Sequence, residues 1–131
     1  MVFWKSEHAQ MQDISEVKKS RITAIACEAL EQCGANKSLQ IEYSLQGLQK
    51  LLEAYSNYVH IVGHYEGKEL PEISKEIPAV LWIGPEGGWS ISEKQFFKEN
   101  KMILWKFNNR ILRLETAAIV GAGTLLNGDY L

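Results

Sequence analysis

Apolar positions change period several times along this chain, and each change marks an element. Ile22, Ile25, Ala26, Ala29, Leu30 and Cys33 recur at three- and four-residue spacing, which predicts a helix with one apolar face. Asp13 and Glu16 read as the capping box that opens it, and Gly34 as its left-handed stop. Gln40–Tyr43 is a short strand candidate, after which Ser44 is placed to cap a second helix with Leu45, Leu48, Leu51, Leu52 and Tyr55 inward. Tyr58–Val62 is β-rich and ends at Gly63, and Glu66–Pro78 is polar and broken by prolines, predicting a loop or short irregular helix. Val80–Ile83 is a buried-strand run closed by Gly84-Pro85. Ser90 and Glu93 form a second capping box, predicting a helix over Ile91–Glu99, followed by a strand over Met102–Phe107 and a closing helix over Leu114–Leu126. Strands alternating with helices predict an α/β fold built on a parallel sheet flanked by helices.

A chain of 131 residues is read as one domain with enough length for a sizeable core. The opening residues, Met-Val-Phe-Trp-Lys, lack the apolar run of a signal peptide, and no stretch is apolar enough to span a membrane, so a cytoplasmic protein is expected. Cys27 and Cys33 have no metal-ligand spacing and are expected as reduced thiols in or near the core. The net charge of −2 gives no global attraction to nucleic acid, so any RNA must be held by a local patch or a second subunit.

Two stretches carry candidate chemistry. In Val80–Glu93, VLWIGPEGGWSISE, a strand runs through a glycine loop into a helix N-terminus. That arrangement gathers free backbone N–H groups at the carboxyl end of a strand, where open α/β sheets bind ligands. The second stretch, NRILRLETAA over Asn109–Ala118, sets Arg110, Arg113 and Glu115 close together, either as solvated charge on a turn or as a functional group. His60 and His64 are not read as a metal pair, because residues four apart on a strand lie about 13 Å from each other. No metal is expected. Gly121 and Gly123 fall within an apolar helix and are read as close-packing positions. Of Trp4, Trp82, Trp89 and Trp105, all packing candidates, Trp89 is the one expected to face substrate as it leaves the glycine loop.

IGPEGGWS followed by RILRLETAA resembles the two closing motifs of the SPOUT methyltransferases, and more narrowly the ribosomal RNA small subunit methyltransferase E family. Ala26–Gly34 is similar to that family's helix ending in Glu-Gln-x-Gly, and the resemblance covers most of the chain from about Ser6. It implies a C-terminal trefoil knot with Phe107–Leu114 as the threaded segment, a homodimer, S-adenosylmethionine as cofactor, and methylation of uridine N3 in small-subunit ribosomal RNA. Members of the family carry a small β-barrel before this domain. That barrel is expected to be absent here, with residues 1–12 as a remnant linker and 1–131 as one SPOUT domain. Other readings left open are a non-catalytic dimeric remnant binding RNA or cofactor, and methylation of a ribose 2′-oxygen or of transfer RNA.

Carried over residue by residue, the resemblance places Val62, Gly63, His64, Ile83, Gly84, Pro85, Glu86, Gly87 and Gly88 against the cofactor. Phe107, Asn108, Ile111, Leu112, Arg113, Thr116 and Ala117 complete its enclosure. It makes Arg113 the stabiliser of a developing uridine anion, with Glu86 or Glu115 placing uridine or donor, and Arg110 and Trp89 on RNA. The chain departs from the family where Leu-Gly-Pro is replaced by Phe107-Asn108-Asn109, where Ala35 stands for an arginine, and where Ser6-Glu7-His8 ends in histidine.

Overall fold

The computed structural model describes residues 1–9, 14–32, 34, 39–74, 76–107 and 109–127. By their internal contacts they form two units, one of Met1–Lys5 and Gln10–Gly47, the other of Ser6–Ala9 and Leu48–Leu131. The predicted cap at Asp13, the thiol of Cys33 and the cofactor position Asn108 lie outside the described residues.

In the first unit, β1 (Val2–Trp4) pairs in parallel with β2 (Glu42–Ser44), and the rings of Phe3 and Tyr43 stack at 5.3 Å. The linker reading of residues 1–12 contained no such strand. Its helix α1 (Glu16–Gln32) forms where the periodicity places it, yet none of its residues is buried. Ile22, Ala26 and Leu30 are half-buried along one stripe, while Val17 and Ile25 are exposed. Two three-residue strands offer little area to cover a helix of 17 residues. Cys27 is likewise an exposed free thiol rather than a core one. Ser44 does not cap a helix either: its hydroxyl accepts the N–H of Gln46, and Leu45 is left exposed.

The second unit begins at α2 (Leu48–Ala54), which buries Leu51. Three parallel strands follow in the order β4-β3-β5, with β3 at Val59–Lys68, β4 at Ala79–Trp82 and β5 at Ile103–Trp105. The parallel expectation holds, with the strands divided between two sheets. Central β3 runs five residues beyond Gly63, its expected end. Ile61 and Val62 have no exposed surface, as expected for a strand bonded on both sides. Helix α3 (Ile91–Glu99) has the predicted bounds and delivers the fully buried Phe97 to the core. Helix α4 (Leu114–Asn127) closes the chain.

Gly121 of α4 packs within this chain, while a Cβ at Gly123 would meet nothing within 4 Å. A Cβ at Gly121 would lie 2.6 Å from Leu81 Cδ2 and 3.1 Å from the Phe107 ring, so the helix approaches β4 through that gap. His60 is also consumed by packing. Its Nδ1 accepts the Trp82 indole N–H at 3.0 Å and its Nε2–H donates to the Tyr55 carbonyl at 2.9 Å. Burial lowers its pKa, against the pull of that carbonyl, and keeps the ring neutral. Among the described residues no group of three or more His, Cys, Asp or Glu side chains is placed to hold a metal, and no helix is long and apolar enough to cross a membrane.

Candidate functional site

β4 ends at Trp82, and the chain turns through Gly84–Gly88 before entering α3. The Gly88 N–H donates to the Pro85 carbonyl at 2.9 Å, closing a tight turn, and Gly88 has φ of 71°, which a side chain would strain. The capping box then forms as predicted: Ser90 Oγ accepts the Glu93 N–H at 3.1 Å while Glu93 Oε2 accepts the Ser90 N–H at 2.8 Å. Glu93 is 2% exposed, and its other oxygen accepts the Glu7 N–H at 3.2 Å. A helix cap thereby also anchors the segment Ser6–Ala9.

That segment holds the glycine loop from outside. His8 Nδ1 lies 3.3 Å from the Gly87 carbonyl and 3.2 Å from that of Gly88. Both partners are acceptors, so Nδ1 carries the proton. Ser92 Oγ donates to Glu7 Oε1 at 2.6 Å, and hydrogen bonds from Ser92 and Ser90 hold the Glu7 carboxyl below its usual range. Removing the His8 ring should loosen the loop. In His8→Ala the Gly88 amide should exchange with deuterium about 2- to 10-fold faster, the worth of one net hydrogen bond. Unchanged exchange at Gly88 would show that the ring does not hold the turn.

Trp89 lines the cleft beside this loop and also holds the loop from inside. The residue is 8% exposed, its indole N–H donates to the Gly63 carbonyl at 2.9 Å, and its ring meets Phe97 edge-on at 4.8 Å. It leaves little surface for a base to stack on. A Cβ at Gly84 would come within 2.8 Å of this ring, and one at Gly63 within 2.8 Å of the Phe107 ring. Both glycines are therefore close-approach positions that let aromatic rings cross the strand ends.

A cleft of about 720 Å³ opens beside the carboxyl ends of β4 and β5, against Gly63–Tyr65 midway along β3. It is lined by Gly63 and His64, by Ile83–Trp89, and by Phe107, Arg110–Glu115 and Ala117. The two stretches singled out in the sequence thus share one cavity. A smaller hollow of about 470 Å³ lies at the opposite ends of β3 and β5, remote from the glycine loop.

Two of the predicted contacts fall elsewhere. Val62 pairs with both Trp82 and Leu104 in mid-sheet and is fully buried, and Thr116 is exposed and does not line the cleft. Arg110, Arg113, Glu86 and Glu115 are exposed cleft residues, and among the described residues no ion pair joins either arginine to either glutamate. Arg113 holds its place through the backbone: its carbonyl accepts the Ala117 N–H at 2.8 Å as α4 begins. His64 Nδ1 accepts the Glu66 N–H at 3.1 Å, and burial, followed by the nearby Lys94 charge, lowers its pKa and favours the neutral ring.

Tyr65, Lys94 and Lys106 also line the cleft and were not found from the sequence. Lys94 and Lys106 join Arg110 and Arg113, so four cationic side chains line the cleft beside the carboxylates of Glu86 and Glu115, in a chain whose net charge is −2. The available signal was the pair Gly63 and Gly67 flanking His64-Tyr65, a spacing that fits a strand irregularity better than a strand end.

Parallel strands, with a glycine loop and the Arg110–Ala117 segment lining one cleft, give the arrangement in which open α/β domains bind ligands. The family model for the RNA methyltransferase domain matches residues 1–126, and the chain belongs to that family. It is 27% identical over 118 residues to ribosomal RNA small subunit methyltransferase E of Helicobacter pylori strain J99, covering 90% of this chain and 50% of that protein. The same protein of strain 26695 gives the same identity and coverage. Among solved structures, a protein from Legionella pneumophila described as a methyltransferase, with S-adenosylmethionine bound, superposes with a TM-score of 0.77 at 26% identity. That match covers 95% of this chain and 53% of the other. Ribosomal RNA small subunit methyltransferase E from Neisseria gonorrhoeae, also bound to S-adenosylmethionine, gives 0.70 at 27% identity over 94% and 53%. The chain spans about half the length of the curated relatives it matches.

Proposed function

We propose that this domain binds S-adenosylmethionine in the cleft and methylates uridine N3 in small-subunit ribosomal RNA, acting in the cytoplasm as a homodimer with a trefoil knot through Phe107–Leu114. The observation that carries the reading is the meeting of the glycine loop and the Arg110–Ala117 segment in one cavity. Family membership and the names of the relatives support it.

The residues present fit the cofactor. A cleft of about 720 Å³ is of small-molecule size, and its glycine loop exposes backbone rather than side chains. Ile83, Gly84, Gly87 and Gly88 would flank the ribose and methionyl part, with Phe107, Ile111, Leu112 and Ala117 around the adenine. When bound, S-adenosylmethionine supplies an electrophilic methyl group on a sulfonium.

What the protein must add is help for a poor nucleophile. Uridine N3 carries a proton and becomes reactive only as that proton leaves. Arg113 supplies positive charge and a planar donor fork where the anion develops on the uracil. Glu86 and Glu115, across the same cleft, orient the base or the arginine. The rigid turn at Pro85–Gly88 keeps this alignment, which is worth more than any single contact.

Calorimetry with S-adenosylmethionine and with its demethylated product should show binding well below millimolar concentration. Absence of binding at millimolar ligand would remove the enzyme reading. Methyl transfer to unmodified small subunits, with the product nucleotide mapped by mass spectrometry, then tests the target: a ribose methyl would exclude N3.

A further inference from the structure

Resting on the reading that RNA is the substrate, we propose that Tyr65 is a stacking platform for an unpaired RNA base beside the target nucleotide, with Lys94 as its phosphate partner. The argument begins with the register of β3. Gly63 and Lys68 both pair with Trp105 of β5, so the four residues between them leave the ladder as a bulge at the rim of the cleft. Gly67 pins the base of that bulge, because its Cα lies so close to β5 that a Cβ would be 2.6 Å from the Leu104 carbonyl oxygen. The Lys106 N–H donates to the Lys68 carbonyl at 2.9 Å and fixes its far end. Bulges of this kind re-aim side chains next to sites.

The side chains so aimed are His64 and Tyr65. His64 is buried at 7% exposure, and its Nδ1 is engaged by the Glu66 N–H. Tyr65 stacks on it with centroids 5.0 Å apart and planes 17° from parallel, yet remains 55% exposed. Tyr65 is thus an aromatic ring with a rigid backing and an open surface, lining the same cleft as the glycine loop. The Lys94 ammonium stands 5.5 Å from its centroid. That cation sits on a flexible stem from the first turns of α3, and a base can displace it from the ring while it moves to a phosphate.

Such a platform selects single-stranded RNA. A base in a helix already has two stacking neighbours, whereas an unpaired one gains the tyrosine face, and any base has a π-face to offer. Trp89, the aromatic that the sequence points to, lines the same cleft but is only 8% exposed, whereas Tyr65 presents a ring that is 55% exposed there.

Fluorescence anisotropy with labelled single-stranded oligouridylate, and with its duplex on oligoadenylate, tests the inference at low salt. The wild-type chain should prefer the single strand. Tyr65→Ala should weaken that binding by about 5- to 150-fold, the span of one base–aromatic stack, while Tyr65→Phe and Tyr65→Trp retain it. Lys94→Ala should lower the salt slope by about one contact and leave the single-strand preference. Calorimetry with S-adenosylmethionine should be the same for Tyr65→Ala and wild type. Equal RNA binding by Tyr65→Ala, or equal binding of duplex, overturns the proposal. Loss of S-adenosylmethionine binding in Tyr65→Ala also overturns it, by giving the ring to the cofactor. If wild type binds S-adenosylmethionine but not the oligonucleotide, the platform fails and the cofactor reading stands; if it binds neither, both fail.

Discussion

Gly67→Ala should lower the melting temperature of this domain by about 10–15 °C. The added Cβ would lie 2.6 Å from the Leu104 carbonyl oxygen and 2.7–2.8 Å from the carbonyl carbons of Leu104 and Trp105. These are backbone atoms of β5, in a strand that presents Trp105 to the core at 3% exposure, and they cannot rotate aside as a side chain would. The cost belongs at the upper end for overpacking, about 3 kcal/mol. At roughly 3–5 °C per kcal/mol for a chain of this size, that gives the stated fall. Gly123→Ala is the control. A Cβ there meets nothing within 4 Å, and removing a glycine from the interior of α4 is worth up to about 1 kcal/mol. Thermal melts followed by circular dichroism should therefore move in opposite directions for the two variants. A Gly67→Ala melt within about 3 °C of wild type would mean that β5 yields easily and the bulge is not pinned.

A close approach at another glycine, Gly63, explains one limit of sequence reading. Gly63 reads as the end of a strand because glycine interrupts β-rich runs. In the structure β3 continues to Lys68, and Gly63 is needed because Phe107 crosses it. A requirement set by a residue 44 positions later (107 − 63) leaves no local trace. Elements specified by their own neighbours were legible: the Ser90/Glu93 box gives both the start of α3 and the cap geometry. Ser44 shows the reverse error, since a hydroxyl before an apolar run serves a two-residue turn as well as a helix cap, and here it bonds Gln46.

The candidate site was legible to the same degree and for the same reason. Its glycine loop and the arginine segment are contiguous motifs, and most of their residues line one cleft. Thr116 misses because a helix turns about 100° per residue: Ala117 is buried at the cleft while its neighbour faces solvent. Val62 misses because it is bonded on both sides in mid-sheet. Tyr65 and Lys94 were hidden because one depends on a bulge and the other on where α3 lands. The grip of His8 on the loop joins residues about 80 apart through a buried glutamate that looks, in sequence, like a cap alone.

Arg113→Lys should reduce methyl transfer at least about tenfold, equivalent to ~1.4 kcal/mol of barrier, with little change in S-adenosylmethionine affinity. Lysine keeps the charge but loses the planar fork that can hold two atoms of a developing uracil anion. The backbone should not notice the change, because the bond from Ala117 N–H to the Arg113 carbonyl at 2.8 Å does not involve the side chain, which is exposed in the cleft. An unaltered melt therefore separates lost catalysis from lost folding. Arg110→Ala provides the contrast: it should weaken RNA binding and lower the salt slope by about one, yet leave the rate at saturating RNA unchanged. Glu115 lines the same cleft, and if it orients Arg113, Glu115→Gln and Arg113→Lys combined should cost little more than either alone. Full additivity would give the two side chains separate roles. Normal turnover by Arg113→Lys at saturating RNA would remove the arginine from the chemical step and leave Arg110–Ala117 as a wall of the cofactor cleft.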